Sequence, residues 1–214
     1  MNIKNYNSVL ILAPHTDDAE LGCGGSISKF LREGVTVYVA VFSYARASVP
    51  AGFKDDQLKN EFLCSMQRMN VKKENIMLYD FPVRKLKDFR QEILEELVKI
   101  RSNINPDLVL IPSSQDVHQD HQVLQEEGLR AFKNFSVLGY ELPWNHITFS
   151  AQAFINLTRE DLDLKWNALT EYKTQMELKR PYFTREFIYG LAKVRGTQIN
   201  KEYAEAFEVF RILF

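Results

Sequence analysis

Short apolar runs alternate along this chain with stretches whose apolar residues recur every three to four positions. The apolar runs are typical of strands buried on both faces of a sheet, and the amphipathic stretches are typical of helices. The predicted strands are residues 8–12, 35–42, 75–79, 108–111, 137–140, 148–155 and 203–210. The predicted helices are residues 19–32, 55–69 (with Asp55 as its cap), 88–103, 118–134, 161–175 and 186–195. Repeated strand–helix units predict an α/β fold, in which helices cover both faces of a mostly parallel sheet.

Composition narrows the class of protein. The chain has 214 residues, 45% of them hydrophobic, and a formal net charge of -1, so we expect one domain over residues 1–214. A balanced charge argues against nucleic acid or an anionic membrane as a partner. We see no membrane-spanning run and no signal-peptide pattern, and therefore expect a cytoplasmic protein. Cys23 and Cys64 form no Cys-x-x-Cys motif and are expected to be reduced, buried thiols.

A first cluster of polar residues follows the apolar run 8–12. His15 and Asp18 are three residues apart and can turn to the same side of a tight strand-to-helix bend, which leaves Asp17 free beside them. Catalytic zinc takes three ligands from imidazole and carboxylate groups and keeps a position for water. The alternative is that Asp17 and Asp18 only cap the helix that follows.

A second cluster follows the apolar run 108–111. His118 and His121 are three residues apart at a helix start and share a face. Asp116 and Asp120 could accept the second N–H of such imidazoles. The alternative is an ordinary solvated polar face. If the two strands are neighbours, both clusters meet at the carboxyl edge of the sheet, where ligands bind in such folds. The sequence then predicts a hydrolytic site for zinc, or for another divalent metal such as Fe²⁺.

Gly22, Gly24 and Gly25 form a glycine-rich segment after the first strand. They could cradle a phosphate at a helix start, but their spacing does not fit Gly-x-Gly-x-x-Gly. We favour the alternative, in which they allow close packing of a helix on the sheet.

Substrate-binding candidates lie on loops that follow predicted strands. Trp144 could stack on a sugar face, and Glu141 and His146 share its loop. Arg46 and Arg84 could meet a polar substrate. The alternatives are a packed surface tryptophan and ordinary surface charges.

Residues 14–25 (Pro-His-Thr-Asp-Asp-Ala-Glu-Leu-Gly-Cys-Gly-Gly) and the stretch His118-Gln119-Asp120-His121 resemble the two signature motifs of the LmbE-like, or PIG-L, zinc-dependent de-N-acetylases. Residues 203–207 resemble a stretch near the C-terminus of that family. The resemblance implies a Rossmann-like fold and removal of an acetyl group from an N-acetylglucosamine-type sugar. It implies His15, Asp18 and His121 as zinc ligands and Asp17 as general base. His118 would be the general acid or the electrostatic partner of the oxyanion.

The chain departs from the family pattern at three positions. Thr16 stands where proline is common, Leu58 where many relatives have arginine, and Val83 where aspartate is frequent. The last two positions are tied to the substrate.

Two classes of function follow. The first is a metal-dependent deacetylase of a small N-acetylated sugar, with Arg84, Glu141 and Trp144 near the substrate, or a hydrolase of another N-acyl amide. The second is a metal-free module that binds a nucleotide or sugar phosphate at 22–25. Either could form a homo-oligomer.

Overall fold

Seven strands form one sheet within residues 6–213, the part of the chain that the computed structural model describes. The strands are β1 (Ser8–Ala13), β2 (Thr36–Val41), β3 (Ile76–Leu78), β4 (Leu108–Pro112), β5 (Ser136–Tyr140), β6 (Ala153–Leu157) and β7 (Tyr203–Arg211). Their order is β3-β2-β1-β4-β5-β7-β6. The first five strands in this order are parallel, and β7 runs antiparallel to both of its neighbours.

Helices cover both faces of the sheet. They are α1 (Asp18–Arg32), α2 (Gln57–Arg68), α3 (Arg90–Ile104), α4 (Gln119–Ala131), α5 (Arg159–Leu169), α6 (Lys173–Glu177) and α7 (Arg185–Thr197). Side chains of β1 alternate between two cores: Val9 and Ile11 pack with residues of α1, α2 and α5, whereas Leu10 and Leu12 pack with residues of α3 and α4. The predicted three-layer α/β/α fold with a mostly parallel sheet is therefore confirmed. None of the helices in the described range is long and apolar enough to cross a bilayer.

The strand order reverses direction between β1 and β4. From β1 the chain proceeds to β2 and β3 on one side, whereas β4 and β5 lie on the other side. β1 and β4 are parallel neighbours, with Val9 opposite Leu108. Their carboxyl ends therefore open onto the same crevice, the usual place for a ligand in such sheets. The starts of α1 and α4 lie there, and these carry the two His/Asp clusters.

Helix α1 bends sharply at Cys23, whose φ of -146° and ψ of 25° are not helical. The freed backbone N–H groups of Gly25 and Ser26 donate to the carboxylate of Glu205 at 3.0 and 2.7 Å. Lys165 binds the same carboxylate, with Nζ 2.7 Å from Oε1. These N–H groups are thus engaged by a buried side chain and are not available to a phosphate.

The glycines of this segment lie against side chains of the sheet and of α5. A Cβ at Gly22 would lie 2.4 Å from the ring of Tyr140, and one at Gly25 would lie 2.5 Å from Leu157. Both distances are shorter than van der Waals contact allows. The segment therefore permits close packing, the alternative that we favoured over a phosphate cradle.

Three expectations for the elements need correction. The helix expected over 161–175 is two helices, α5 and α6, and it begins earlier because Thr158 and Asp161 form a capping box. The strand expected over 148–155 is β6 at Ala153–Leu157, where it pairs with β7. Asp55 does not cap α2, because Asp56 holds the N-cap position.

The two cysteines differ in burial. Cys23 is buried, as expected, whereas Cys64 is exposed, so the expectation of two buried thiols is wrong for Cys64.

Candidate metal centre

Three donor atoms, from the loop after β1, from α1 and from α4, converge at the crevice. Nδ1 of His15 lies 3.2 Å from Oδ2 of Asp18 and 3.3 Å from Nε2 of His121. Nε2 of His121 lies 3.3 Å from Oδ2 of Asp18. A tetrahedral zinc ion with bonds of about 2.0–2.1 Å needs ligand atoms about 3.3–3.4 Å apart. The triangle therefore has the size of one face of a zinc coordination tetrahedron, and its donors are those that zinc prefers.

Two buried carboxylates orient the imidazoles. Nε2 of His15 lies 2.9 Å from Oδ2 of Asp120, and Nδ1 of His121 lies 2.7 Å from Oδ2 of Asp116. Each of these nitrogens is placed to donate a proton to its carboxylate, which would leave Nδ1 of His15 and Nε2 of His121 as the nitrogens that bind a metal. Carboxylates commonly hold metal-binding histidines in this way.

The charges of the cluster favour a cation between the donors. Burial lowers the pKa of His121, but Asp18 and Asp116 outweigh burial and raise this pKa to about 10. Burial raises the pKa of Asp18, yet His121 and His15 outweigh it and hold this pKa below its usual range. The same carboxylates would stabilise a divalent ion that replaces the imidazole proton.

Asp17 stands beside the triangle without ligand geometry of its own. It occupies the N-cap position of α1, but its side chain makes no capping hydrogen bond. Burial and the neighbouring Asp18 raise the pKa of Asp17 to about 6. A carboxylate with a pKa close to neutral pH is suited to accept a proton and return it.

His118 caps α4 from the other side of the crevice. Its Nδ1 accepts the backbone N–H of Asp120 at 3.2 Å, which leaves the proton on Nε2. Burial and the nearby His121 and His15 lower the pKa of His118 to about 4. A neutral ring with a fixed tautomer presents one N–H donor. Ligand nitrogens of the three histidines lie within 4.8 Å of one another, so His118 could also approach a metal, but the shorter distances favour Asp18 as the third ligand.

A cavity of about 220 Å³ opens above these groups. Its floor is formed by the metal-ligand candidates with Asp17 and His118. Its walls include Leu58, Val83, Arg84, Trp144, Arg180 and Tyr182. Leu58 and Val83, which depart from the family pattern, thus both face the site.

The proposed substrate residues are not all brought to the cavity. Arg84 and Trp144 line it, and the indole of Trp144 stacks on Tyr182 with ring centroids 3.8 Å apart. Glu141 is buried and is not among the described residues that line this cavity. Its carboxylate accepts hydrogen bonds from the guanidinium of Arg195, with Nε of Arg195 2.9 Å from Oε2 of Glu141. The His146 ring is buried, with Nε2 3.9 Å from Oδ2 of Asp116. Arg46 lies outside this cavity and pairs with Asp80 at 3.0 Å.

Sequence reasoning missed Arg180 and Tyr182. Both lie between α6 and α7, and the guanidinium of Arg180 donates to the Tyr182 hydroxyl. The positive charge of Arg180 also opposes the rise in the pKa of Asp17. No local motif marks these residues, because only the packing of this loop over the carboxyl end of β1 brings them to the site.

The chain is similar to several known proteins. The chain is 24% identical over 176 residues to YaiS of Escherichia coli strain K12, described as an uncharacterized deacetylase, which covers 78% of this chain and 90% of YaiS. N,N'-diacetylchitobiose deacetylase from Pyrococcus horikoshii superposes with a TM-score of 0.76 at 20% identity, covering 97% of this chain and 85% of that one. GalB, the 4-carboxy-2-hydroxymuconate hydratase of Pseudomonas putida KT2440, superposes with a TM-score of 0.78 at 18% identity, covering 97% and 98%.

The two structural likenesses establish the fold, and the enzymes named carry out different reactions. Family membership has separate support. The family model for GlcNAc-PI de-N-acetylase, PIG-L, matches residues 10–132, which is more than half of the chain and includes both His/Asp clusters. The chain therefore belongs to the PIG-L family of de-N-acetylases.

Proposed function

We propose that this protein is a metal-dependent deacetylase that hydrolyses the acetamido group of an N-acetylglucosamine-type sugar or sugar conjugate. The observation that carries the proposal is the triangle of donor atoms from His15, Asp18 and His121, with edges of 3.2–3.3 Å. Asp17 and His118 face the same cavity, so a proton acceptor and a hydrogen-bond donor stand beside the ligands.

His15, Asp18 and His121 would hold the metal, with zinc as the ion that fits best. Zinc supplies Lewis acidity, which acidifies water and polarises a carbonyl oxygen. The carboxylates of Asp116 and Asp120 keep the two imidazoles in the tautomers that this role requires.

Asp17 acts as general base. It takes a proton from the attacking water as the oxygen of that water bonds to the acetyl carbon. Its pKa of about 6 leaves it mostly ionised at neutral pH, yet basic enough to hold the proton briefly. The protonated carboxyl group then gives this proton to the leaving nitrogen when the C–N bond breaks. The products are acetate and the free amine, and Asp17 returns to its ionised state.

His118 stabilises the oxyanion as a neutral donor. Its Nδ1 is engaged by the backbone N–H of Asp120, so Nε2–H is the group that faces the cavity. A fixed donor aimed at developing negative charge contributes to the rate without reorganising. Of the two roles that the family resemblance implies for His118, we therefore propose the partner of the oxyanion. Asp17 is then the general acid.

The family name and the reaction of the Pyrococcus horikoshii enzyme support an acetylated amino sugar as substrate. Trp144 and Tyr182 offer aromatic surface in the wall, which suits the apolar face of a sugar ring. A hydrolase of another N-acyl amide is the competing candidate. GalB has the same fold and a different reaction, and an assay of acetate release distinguishes the candidate substrates.

Acetate release tests the proposal. The purified protein should release acetate from at least one N-acetylated sugar in a panel that also contains acyl amino acids. Activity should disappear on chelation, return with zinc, and be absent in His121→Ala. Activity on acyl amino acids alone would refute the sugar assignment, and full activity in metal-free protein would refute the metal requirement.

A further inference from the structure

A buried histidine lies behind the metal centre, and the proposed mechanism does not use it. His146 follows the turn after β5, and its backbone pairs with that of Asp116 in an antiparallel bridge. Beside this bridge, the backbone N–H of Val117 donates to the carbonyl of Asn145 at 3.0 Å. The loops that follow β4 and β5 are thus joined, and the joint holds His146 next to the carboxylate that orients His121.

The inward and outward side chains at this joint reverse the usual order. The side chain of His146 is 3% exposed, whereas Ile147 is 90% exposed. Burial of an isoleucine is favourable and burial of an imidazole without a partner is not, so packing alone would favour the opposite arrangement. The inward imidazole therefore indicates a role that needs a polar group at this position.

The ring of His146 has an unused donor. Neither of its nitrogens has a hydrogen-bond partner within the described residues 6–213. Burial lowers the pKa of His146, although the nearby carboxylates of Asp116, Glu141 and Glu208 oppose this shift, so the ring is neutral at neutral pH. A neutral imidazole carries one N–H, and a buried donor without an acceptor is costly.

The carboxylate of Asp116 can accept this N–H. Nε2 of His146 lies 3.9 Å from Oδ2 of Asp116, and a shift of roughly 1 Å brings the two atoms to hydrogen-bond distance. A carboxylate accepts about four hydrogen bonds. In the described part of the chain Asp116 accepts three, from His121, His118 and Asn145, which leaves capacity for one more donor.

Packing holds the face of the ring and leaves its edge free to approach. The imidazole of His146 stacks on Phe149, with ring centroids 5.3 Å apart and an interplanar angle of 17°. The guanidinium of Arg195 lies over the Phe149 ring, with Cζ 5.4 Å from the centroid, and it is bound by Glu141. A stacked ring can slide in its own plane toward Asp116 with little loss of contact.

We propose that His146 is a positioning residue of the metal centre, which donates from Nε2 to the carboxylate of Asp116 and thereby holds the orientation of His121. The fixed carboxylate keeps a proton on Nδ1 of His121, so that Nε2 of His121 faces the metal. The proposal rests on the proposed metal-dependent function and adds a residue that touches neither substrate nor metal.

Three substitutions of His146 separate positioning from packing. His146→Gln places an amide N–H near the position of Nε2, His146→Asn reaches only the position of Nδ1, and His146→Phe keeps a stacking ring without a polar atom. Zinc affinity, measured by competition with a chromophoric chelator, should fall about tenfold in the asparagine and phenylalanine variants, the lower end of the range for groups that orient a metal ligand. The glutamine variant should stay close to the wild-type value.

A packing role predicts the reverse order, with phenylalanine tolerated better than glutamine. Wild-type zinc affinity in His146→Phe, or affinity in His146→Gln no higher than in His146→Phe, would therefore overturn the inference. Thr148→Val is the matched control, because it removes an exposed hydrogen bond of the same loop, to Gln115, and should leave zinc affinity unchanged.

A double-mutant cycle tests whether His146 acts through Asp116. In the Asp116→Asn background, His146→Phe should cause no further loss of zinc affinity, because the single amide oxygen is already contested by the other three donors. Losses that simply add would show that His146 acts by another route.

Imidazole ¹⁵N NMR spectra of the metal-free wild-type protein give a readout that requires neither metal nor activity. His146 should carry its proton on Nε2, and the signal of this nitrogen should shift in Asp116→Asn. A proton on Nδ1, or an Nε2 signal that Asp116→Asn leaves unchanged, would contradict the proposed hydrogen bond. If the protein binds no zinc, the proposed function fails, and these spectra still decide whether His146 donates to Asp116.

Discussion

Asp116→Asn should weaken metal binding without removing any metal ligand. The buried carboxylate accepts three hydrogen bonds: from Nδ1 of His121 at 2.7 Å, from the backbone N–H of His118 at 2.9 Å and from Nδ2 of Asn145 at 3.3 Å. An asparagine has one oxygen for these three donors, so its NH₂ group must face another N–H. If it faces His121, that ring must move its proton to Nε2, the nitrogen turned toward Asp18 and His15.

The expected size of the effect follows from this mismatch. Loss of a carboxylate that orients a ligand histidine typically costs about 10–100-fold in metal affinity, which is about 1.4–2.7 kcal/mol. If the amide turns the other way, its NH₂ faces the N–H of His118. The cost then falls on folding, at about 1–3 kcal/mol for a buried donor without an acceptor.

A competition titration against a chromophoric zinc chelator measures the affinity, and urea denaturation of the metal-free protein measures the folding term. Asp88→Asn makes the same chemical change at an exposed aspartate and should alter neither quantity. If Asp116→Asn binds zinc as tightly as the wild-type protein and unfolds at the same urea concentration, this carboxylate does not hold the tautomer of His121.

Three further substitutions test other parts of the account. Asp17→Asn should lower turnover by about 10²–10⁴-fold, because general base catalysis contributes on that scale, while the protein retains its metal. Near-normal turnover would exclude Asp17 as the base. Lys165→Ala should lower the free energy of unfolding, measured by urea denaturation, by about 3–5 kcal/mol, because it leaves the buried Glu205 without its cation. Lys99→Ala breaks an exposed pair with Glu96 and should change this free energy very little. Equal effects of the two substitutions would contradict the importance of burial. Gly25→Ala should destabilise the fold by about 1–3 kcal/mol, because the new Cβ would lie 2.5 Å from Leu157; a wild-type melting temperature would show that this packing adjusts freely.

The first half of the fold could be predicted from sequence because its signals are local. Strand β1 is a buried apolar run, and the polar residues that follow it lie at the sheet edge because side-chain chemistry changes where a strand ends. The adjacency of β1 and β4, which brings His15 to His121, follows the general topology of α/β sheets.

The C-terminal half was harder because distant contacts set its element boundaries. The expected helix 161–175 breaks around Tyr172, whose hydroxyl donates to Glu20 at 2.7 Å across the interior. Strand β6 takes its bounds from pairing with β7, which the pattern of its own residues does not reveal. The pairing of Glu141 with Arg195 joins residues far apart in sequence and could not be foreseen from the loop around Trp144.

A crystal structure of the protein grown with zinc, with anomalous data collected at the zinc absorption edge, tests the central claim most directly. The account predicts one anomalous peak at about 2.0–2.2 Å from Nδ1 of His15, Oδ2 of Asp18 and Nε2 of His121. A peak that excludes Asp18 and is held by His118 instead, or no peak at this crevice at zinc saturation, would contradict it.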